Sequence, residues 1–484
     1  MKPAIIPAPR KIIYTGGHTN IACADVSVSM DKSIPAEGYR ITISDGKIHI
    51  IFSDESGRYY AEKTLLQISD TCGCVCDNLD IEDYPEFAYR GFSLDCVRHI
   101  FAIEDIKKII DTAALFKLNE FHWHLTDDQG WRIQIDSFPQ LTETGSIRKD
   151  STFRSLDEHG EYGGFYTKDE IREIVSYCAE RHIEVIPEIE MPGHTTAILA
   201  SYPGLGCTGE KVDLQTKEGI FDTVLCLGNP EIYNLIFAVI DEICELFPGR
   251  FIHIGGDETP RTQWKKCPKC KAEMQRLGLV NYDKFQGQFI KKVAGYIKAK
   301  GKTAITWNES LKGNMLSSDE VMVQFWMGNK ELTDEFGRKG GRIIQSDFYH
   351  YYCDYPYAMT PVRKTYNFNP YSACGDKKAV YGVEAEMWTE FINNFGHLCE
   401  MYFPRMAAVA ERGWCGSDVP GYKSFVTRHE KLRSTVEKSG VTVIPVEKWS
   451  VSPLLRLHEI RKFFSGGIDI GTIVNSVNNG RSEK

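Results

Sequence analysis

The sequence contains no apolar run long enough to cross a bilayer, which requires about 20 consecutive apolar residues. Its first residues, Met1-Lys2-Pro3-Ala4-Ile5-Ile6-Pro7, place prolines where a secretory signal peptide has its apolar core. An excess of positive charge is also missing, because 57 Lys and Arg residues stand against 66 Asp and Glu residues, a net charge of -9. We therefore predict a cytoplasmic protein whose partners include neither a membrane nor a nucleic acid.

The cysteines are neither even in number nor regularly spaced. The fifteen cysteines favour free thiols over a disulfide framework. Cys72-Gly73-Cys74-Val75-Cys76 has no histidine or fourth cysteine beside it, so we interpret it, with Asp77-Asn78, as a linker. Cys267-Pro268-Lys269-Cys270 is half of a zinc knuckle, but no clear second half is present and we assign it to a structural loop. The prediction is no metal and no cofactor.

The chain of 484 residues is long enough for a large domain with smaller additions. Residues 1–86 are predicted to form a small α+β domain. Its signals are a hairpin, with strands at 39–43 and 48–52, and helical spacing of apolar residues at 57–69. Residues 419–484 are predicted to be a short, mainly helical C-terminal extension, with helical patterns at 421–439 and 454–464.

Between these parts, over residues 87–418, strand and helix patterns alternate. Eight strands are predicted to begin near Arg90, Phe121, Glu184, Phe251, Thr303, Val321, Arg342 and Val380. Helical patterns cover residues 103–116, 168–181, 231–247, 283–300, 330–337 and 395–412. The alternation predicts an α/β fold, a (β/α)8 TIM barrel, although periodicity alone does not separate a barrel from a doubly wound open sheet.

Polar and aromatic residues follow the predicted strand ends, where a (β/α)8 barrel carries its active site. They are Asp95, Arg98, His122, His124, Asp127, Asp128, Glu188, Glu190, His194, Asp257, Glu258, Trp307, Glu309, Trp326, Tyr349, Tyr351, Tyr352, Asp354, Glu384, Glu386, Trp388 and Glu390. Aromatic rings stack on the C–H faces of sugars, and charged groups bind sugar hydroxyls in bidentate fashion. The residue types at this rim therefore favour a sugar-binding site.

The most informative strand end is Phe251-Ile252-His253-Ile254-Gly255-Gly256-Asp257-Glu258. Neighbouring side chains on a regular strand point to opposite faces, so two adjacent acids could not both face one ligand. The two glycines break the strand and let a ligand approach the backbone closely. We therefore expect Asp257 and Glu258 to turn towards the same site.

A metal centre is an alternative reading of the same rim. His122-Trp123-His124 has the spacing of a two-histidine metal site on one strand face. With His194, His253 and Asp257 it would form the hydrolytic zinc centre of a metal-dependent amidohydrolase. The clustered aromatic residues favour the sugar site.

These residues resemble glycoside hydrolase family 20, the β-N-acetylhexosaminidases, from about Arg90 to Trp414, and more weakly over the N-terminal part. The motifs that carry the resemblance are Asp95-Cys96-Val97-Arg98-His99, His122-Trp123-His124-Leu125-Thr126-Asp127-Asp128-Gln129-Gly130-Trp131, Met191-Pro192-Gly193-His194, His253-Ile254-Gly255-Gly256-Asp257-Glu258 and Trp388-Thr389-Glu390. The resemblance implies a retaining exo-glycosidase that removes terminal β-linked GlcNAc or GalNAc. In this family the 2-acetamido oxygen of the substrate attacks C1 and forms an oxazolinium ion.

The resemblance also implies a role for each site residue. Glu258 is expected to protonate the leaving oxygen, with a raised pKa, and Asp257 to remain ionised and orient the acetamide. Ligands of the sugar hydroxyls are expected to be Arg98, Asp354 and Glu390. Walls and partners of the acetamide are expected to be Trp307, Trp326, Trp388 and Tyr352. Support for Glu258 is expected from Asp127 and His194.

Several points stay open at this stage. The family often has Tyr-Leu-Asp where this chain has Tyr352-Cys353-Asp354, so Tyr349 or Tyr351 is an alternative partner of the acetamide. A sugar-binding protein that has lost catalysis is an alternative function. The sequence does not decide between GlcNAc and GalNAc, and it leaves open whether the chain forms a homo-oligomer.

Overall fold

The computed structural model describes residues 1–153 and 156–465. Its N-terminal part is a five-stranded sheet with one helix, Glu55–Cys72. The strands are Lys11–Asn20, Asp25–Met30, Tyr39–Ser44, Lys47–Phe52 and Val75–Asp83. The predicted small α+β unit and its hairpin are confirmed, since Tyr39–Ser44 pairs antiparallel with Lys47–Phe52. Asp45 and Gly46 both have positive φ, as a two-residue hairpin turn requires.

The predicted linker around Cys76 was wrong. Strand Val75–Asp83 lies inside the sheet, where it pairs with both Lys11–Asn20 and Tyr39–Ser44. Its buried residues, among them Leu79 and Ile81, alternate with more exposed ones. The turn before this strand lies at Gly73, which has φ 64°. The cysteines around it interrupt the apolar alternation that would otherwise predict a strand.

Residues from Tyr89 onward form a closed barrel of eight parallel strands. The barrel strands, numbered here first to eighth, are Tyr89–Asp95, Glu120–His124, Glu184–Glu188, Phe251–His253, Thr303–Trp307, Val321–Phe325, Ile343–Gln345 and Val380–Ala385. Gly382 of the eighth strand pairs with Tyr89 of the first, which closes the sheet. The predicted TIM barrel is therefore confirmed over the open-sheet alternative.

Helices surround the barrel. The longer ones are Ile103–Leu115, Lys168–Ala179, Glu231–Leu246, Tyr282–Ala299, Lys330–Arg338, Phe395–Tyr402 and Arg405–Cys415. Ile106, Ile109 and Ile110 are completely buried, because a helix lying on a sheet buries residues that recur at intervals of three and four. The single helix predicted at 395–412 was wrong, since Pro404 cannot continue a helix and divides it into two.

The connections between strands contain short elements that the sequence patterns did not predict. The short helices are Gln140–Glu143, Thr196–Ser201, Thr262–Lys266, Pro268–Arg276 and Val362–Asn367, and the 3-10 turns are Ile21–Cys23, Pro203–Leu205, Asn308–Gly313, Lys377–Ala379 and Val446–Lys448. After the second barrel strand, Thr126–Asp127 pairs with Gly130–Trp131, and Ile147–Phe153 pairs with Leu156–Gly163. The assignment of Cys267–Cys270 to a loop was wrong, because Cys270 lies in helix Pro268–Arg276.

The C-terminal extension consists of helices Tyr422–Glu437 and Pro453–Ser465, so its mainly helical character is confirmed as far as Ser465. Residues 466–484, which the predicted extension also included, lie outside the described residues. Within the described ranges, no helix combines the length and the apolarity that a membrane crossing requires.

The barrel interior has two layers. An apolar layer fills the end where the strands begin; it consists of Tyr89, Ile186, Phe251, Ile305, Met322 and Ile344. A charged layer follows towards the strand ends and includes His122, Glu188, His253 and Glu384, all buried. The apolar layer closes the floor of the barrel, so the charged side chains are directed to the rim where the predicted site lies.

Candidate active site

Two glycines at the end of the fourth strand shape the site. Gly255 and Gly256 have φ values of 61° and 100°, in the region that favours glycine. A Cβ atom on Gly255 would lie 1.7 Å from Oε2 of Glu190, and one on Gly256 would lie 2.3 Å from Oγ of Ser310. Side chains larger than hydrogen therefore do not fit at this break, and the backbone turns sharply after Phe251–His253.

The turn brings the two adjacent acids to the same nitrogen atom, as expected from the sequence. Oδ2 of Asp257 lies 4.0 Å from Nε2 of His194, and Oε2 of Glu258 lies 3.7 Å from it. Glu258 has φ 38°, a left-handed conformation that re-aims its side chain. Both carboxylates are mostly buried, with 16% and 25% of their side chains exposed.

His194 connects this acid pair to two further carboxylates. Its Nδ1 lies 3.0 Å from Oδ2 of Asp128 and 3.3 Å from Oδ1 of Asp127. Burial by itself would lower the pKa of His194, but the charge of Asp127 and hydrogen bonds to Asp127, Asp128 and Glu258 raise it well above its usual value. The surrounding acids therefore favour the charged, imidazolium form of His194.

Asp257 has an unusual proton affinity. Burial, together with the negative charges of Glu258 and Glu309, raises its pKa to about 8, although the charge of His194 acts in the opposite direction. Its Oδ1 atom is buried and has no hydrogen-bond partner among the described residues. Burial thus outweighs the positive charge of His194. The ionised Asp257 expected from the resemblance stays a prediction.

Arg98 lies in a network of acids at the ends of the first, second and eighth strands. Its guanidinium lies 3.1 Å from Asp95, 2.8 Å from Asp127 and 3.6 Å from Glu390. It also lies over the ring of Trp388, 5.2 Å from the ring centroid. The guanidinium group of Arg98 is therefore held in place and stays charged, as the bidentate binding of two adjacent hydroxyls would require.

Four aromatic residues converge from the ends of the last four strands. Trp307, Trp326 and Tyr352 form one buried cluster, against which Trp388 packs. Ring centroids are 6.4 Å apart for Trp326 and Tyr352, 6.3 Å for Tyr352 and Trp388, and 6.1 Å for Trp307 and Trp388. The structure thus brings together the four residues expected around an acetamide.

The alternative tyrosines lie elsewhere. Tyr349 is 52% exposed, and Tyr351 is completely buried with its ring 5.2 Å from that of Phe368. Of the three candidates, only Tyr352 belongs to the cluster of tryptophans.

Asp354 and Glu390 complete the predicted set. Asp354 is almost fully buried, and its Oδ1 has no hydrogen-bond partner among the described residues. Burial, followed by the nearby charge of Glu390, raises the pKa of Asp354 well above its usual value. Burial also raises the pKa of Glu390, although Arg98 opposes this shift. Glu390 lies 3.6 Å from Arg98, and the unpartnered Oδ1 of Asp354 can accept a further hydrogen bond.

Asp128 and Glu309 are among the rim residues to which the sequence assigned no role. Asp128 accepts a hydrogen bond from the backbone N–H of Thr196 at 3.0 Å, in addition to its contact with His194. Glu309 accepts one from the backbone N–H of Glu258 at 3.2 Å. Their positions at strand ends were the only signal, because their partners come from other strands.

The two-histidine motif makes ion pairs. Nδ1 of His124 lies 2.5 Å from Glu188 and its Nε2 lies 3.2 Å from Asp127, while His253 contacts Glu188 at 2.5 Å. Burial opposes the charge of His124, but Glu188 and Asp127 raise its pKa to about 9. Since both ring nitrogens of His124 are held by carboxylates, the geometry favours charge pairing over the zinc centre considered above.

A closed (β/α)8 barrel with paired acids, an arginine fork and an aromatic pocket at its C-terminal rim has the features of a carbohydrate-active hydrolase. Residues 87–417 match the profile described as glycosyl hydrolase family 20, catalytic domain, and residues 17–84 match its domain 2. The chain belongs to glycosyl hydrolase family 20. The family predicted from the sequence, and with it a glycoside hydrolase domain, is thereby confirmed.

Individual relatives agree with this assignment. A β-hexosaminidase of Porphyromonas gingivalis is 35% identical over an alignment of 446 residues that covers 86% of this chain and 56% of that protein. The chain thus spans little more than half the length of that relative. A crystal structure of a β-N-acetylhexosaminidase superposes with a TM-score of 0.86 at 28% identity, covering 93% of this chain and 99% of the other. A mutant Streptomyces plicatus β-hexosaminidase in complex with its product GlcNAc gives 0.79 at 28% identity, covering 93% and 98%.

Proposed function

We propose that this chain is a retaining exo-β-N-acetylhexosaminidase that uses the acetamide of its substrate as the nucleophile. The observation that carries the proposal is the pair Asp257 and Glu258, which lie within 4.0 Å of the same nitrogen of His194 beside the tryptophan cluster. Two carboxyls that act from opposite faces of a sugar, about 5 Å apart, are the usual retaining pair. Adjacent acids on one turn instead fit one proton donor and one group that guides the acetamide.

Glu258 is the proton donor in this proposal. It gives a proton to the glycosidic oxygen as the bond to C1 breaks, and in the second half it takes a proton from the water that attacks C1. Glu258 is the more exposed of the two acids, as a group that exchanges protons with a departing alcohol and an entering water needs to be.

Asp257 guides the substrate's own nucleophile. The acetamide oxygen attacks C1, and positive charge develops on the acetamide nitrogen. The unpartnered Oδ1 of Asp257 is a free acceptor for the acetamide N–H. The acetamide N–H and the positive charge that develops on its nitrogen favour the carboxylate over the neutral form, although the pKa of Asp257 is raised to about 8. Asp257 therefore releases its proton to solvent as the substrate binds and is an anion when the acetamide oxygen attacks C1.

The remaining residues hold the terminal sugar. Trp307, Trp326 and Trp388 wall the acetamide, and the hydroxyl of Tyr352 binds its oxygen. Ligands of the outer hydroxyls are Arg98, Asp354 and Glu390. Support for Glu258 comes from His194 and, through it, Asp127. Because these ligands of the outer hydroxyls are largely buried, we propose exo action on a terminal GlcNAc or GalNAc.

The domain limits and the location of the chain are also part of the proposal. We propose a small domain at 1–86, a catalytic barrel at 87–418 and a C-terminal extension at 419–484. The fifteen cysteines are all in the described part of the chain, and none forms a disulfide there. Unpaired thiols suit a reducing compartment, and on that ground we propose a cytoplasmic location.

The test is release of the aglycone from an aryl β-GlcNAc. We expect Glu258→Ala and Asp257→Ala each to lower kcat/KM by at least about 100-fold, since one removes proton transfer and the other charge stabilisation. Glu245→Ala, which removes an exposed acid from the end of an outer helix, is the matched control and should keep full activity. Full activity in Asp257→Ala would overturn the mechanism, and tight GlcNAc binding without any aglycone release would favour a sugar-binding protein.

A further inference from the structure

Four cysteine sulfurs converge away from the sugar site. They belong to Cys207, Cys226, Cys267 and Cys270, and the four sulfur atoms all lie within 4.8 Å of one another. Sulfur–sulfur distances are 3.8 Å for Cys207 and Cys270, 3.7 Å for Cys226 and Cys267, and 3.6 Å for Cys226 and Cys270. Three of the four residues are buried, and Cys207 is half-buried.

These distances are not those of disulfides, in which the sulfurs are about 2.05 Å apart. They match the edges of a tetrahedron around a metal, because four Zn–S bonds of about 2.3 Å place the sulfurs about 3.8 Å apart. Two packed thiols also reach this spacing, but four sulfur atoms that all lie within 4.8 Å of one another enclose a single tetrahedral position. The two contacts of Cys226 form two edges of that tetrahedron.

We propose that these four cysteines bind a structural Zn²⁺ ion. Cys267 and Cys270 have the Cys-x-x-Cys spacing of a zinc knuckle, with Pro268 as the first residue of the helix that carries Cys270. A set of four thiolates fills the coordination sphere and leaves no position for water or substrate, so the ion stabilises structure and takes no part in the reaction.

The backbone around the cluster is built for a close approach. A Cβ atom on Gly228 would lie 2.2 Å from the carbonyl carbon of Lys269, so only glycine fits there. The same Cβ atom would lie 2.4 Å from the backbone nitrogen of Cys270. The segment that carries Cys226 therefore packs directly against the backbone that carries Cys270.

The ion would join two segments that support the active site. Cys207 and Cys226 lie in the long connection between the third strand and helix Glu231–Leu246, whereas Cys267 and Cys270 follow the acid-bearing turn after the fourth strand. In that connection Oγ1 of Thr223 lies 2.7 Å from Oγ1 of Thr196, which binds Asp128. Fixing the connection therefore stabilises the partners of His194 without contact with the sugar.

This proposal departs from the sequence-based prediction of no metal. The second half of the knuckle is not a motif, because Cys207 and Cys226 are separated by an irregular stretch of the connection. Only the fold brings them to Cys267 and Cys270.

The test is the metal content of the full chain, purified without chelator and without added metal. We expect about one zinc ion per chain by inductively coupled plasma mass spectrometry. Replacement of the zinc by cobalt should give the absorption bands of tetrahedral thiolate coordination. Intact-mass measurement under denaturing, non-reducing conditions should find all fifteen cysteines as thiols. A zinc-free protein with these four sulfurs in two disulfides, or iron in place of zinc, would overturn the proposal.

Two variants separate zinc binding from simple loss of a buried thiol. Cys270→Ala should reduce zinc to below about 0.1 per chain and lower Tm by about 5 °C or more, because zinc binding free energy adds to folding free energy. Cys178→Ala removes an equally buried cysteine from helix Lys168–Ala179 and should keep the zinc. Equal zinc in both variants would contradict the assignment. If Cys270→Ala does not fold, the metal content and thiol state of the unaltered chain decide. Neither readout depends on hexosaminidase activity, so a failure here is distinct from a failure of the proposed function.

Discussion

At the scale of single residues, the acid pair has an internal conflict. Asp257 is buried beside Glu258, and its burial raises its pKa to about 8. The raised pKa favours the neutral carboxyl in the folded protein, whereas the proposed reaction needs the anion. The sequence identified both acids, but it did not predict this proton affinity, because burial and the positions of Glu309 and His194 depend on the fold.

This conflict predicts that Asp257→Asn gains stability while it loses activity. The aspartate pKa is 3.8 in the unfolded chain and about 8 in the folded one, so the folded state binds the extra proton between these values. The free energy of unfolding of the unaltered protein therefore falls as pH rises from about 4 to about 8. Asparagine has nearly the shape of aspartate and carries no charge that must be buried. The variant therefore does not lose this part of its free energy of unfolding as pH rises.

The measurement is the difference in thermal stability between Asp257→Asn and the unaltered protein as a function of pH. We expect a small difference near pH 4 that grows to at least about 1 kcal/mol in favour of the variant at pH 8. Glu245→Gln serves as the control and should follow the unaltered protein at every pH. A difference that does not grow with pH would show that Asp257 is ionised in the folded state.

At the scale of elements, the ends of the strands decide where chemistry occurs. The starts of the eight barrel strands followed from apolar runs between turn signals, because buried parallel strands have few polar residues. Elements whose limits depend on tertiary contacts could not be predicted from such patterns. Helices Thr262–Lys266 and Pro268–Arg276 are short and rich in lysine, and strand Val75–Asp83 contains several acids.

The strand-end turn predicts a strong effect of Gly255→Ala. Its φ of 61° and the 1.7 Å approach of a Cβ atom to Glu190 leave no space for a methyl group. We expect a loss of about 2 kcal/mol or more in stability and at least about tenfold in kcat/KM, because the two acids that follow are displaced. Gly204→Ala is the control, since nothing lies within 4 Å of its Cβ position and its φ is not positive. An active, equally stable Gly255→Ala protein would show that the turn has freedom that its geometry does not indicate.

At the scale of the whole molecule, barrel closure turns separate motifs into one site. Alternating strands and helices predicted the α/β class, but closure itself depends on the pairing of the eighth strand with the first. The rim residues Arg98, Asp257 and Trp388 were found from the sequence because each follows a strand end. Contacts between distant chain segments, such as those of Asp128 and of the four cysteines, could not be predicted in this way. A local sequence pattern does not indicate which loops contact each other in the fold.

The central claim is that the substrate's acetamide oxygen is the nucleophile at this rim. Its most direct test compares aryl β-glycosides whose N-acetyl group carries none, one, two or three fluorine atoms. Each fluorine withdraws electron density from the acetamide oxygen, so kcat/KM should fall with every substitution, by at least about tenfold in total, or about 1.4 kcal/mol in the barrier. Equal rates across the four substrates would mean that the protein supplies the nucleophile, and would contradict the roles given to Asp257 and Glu258.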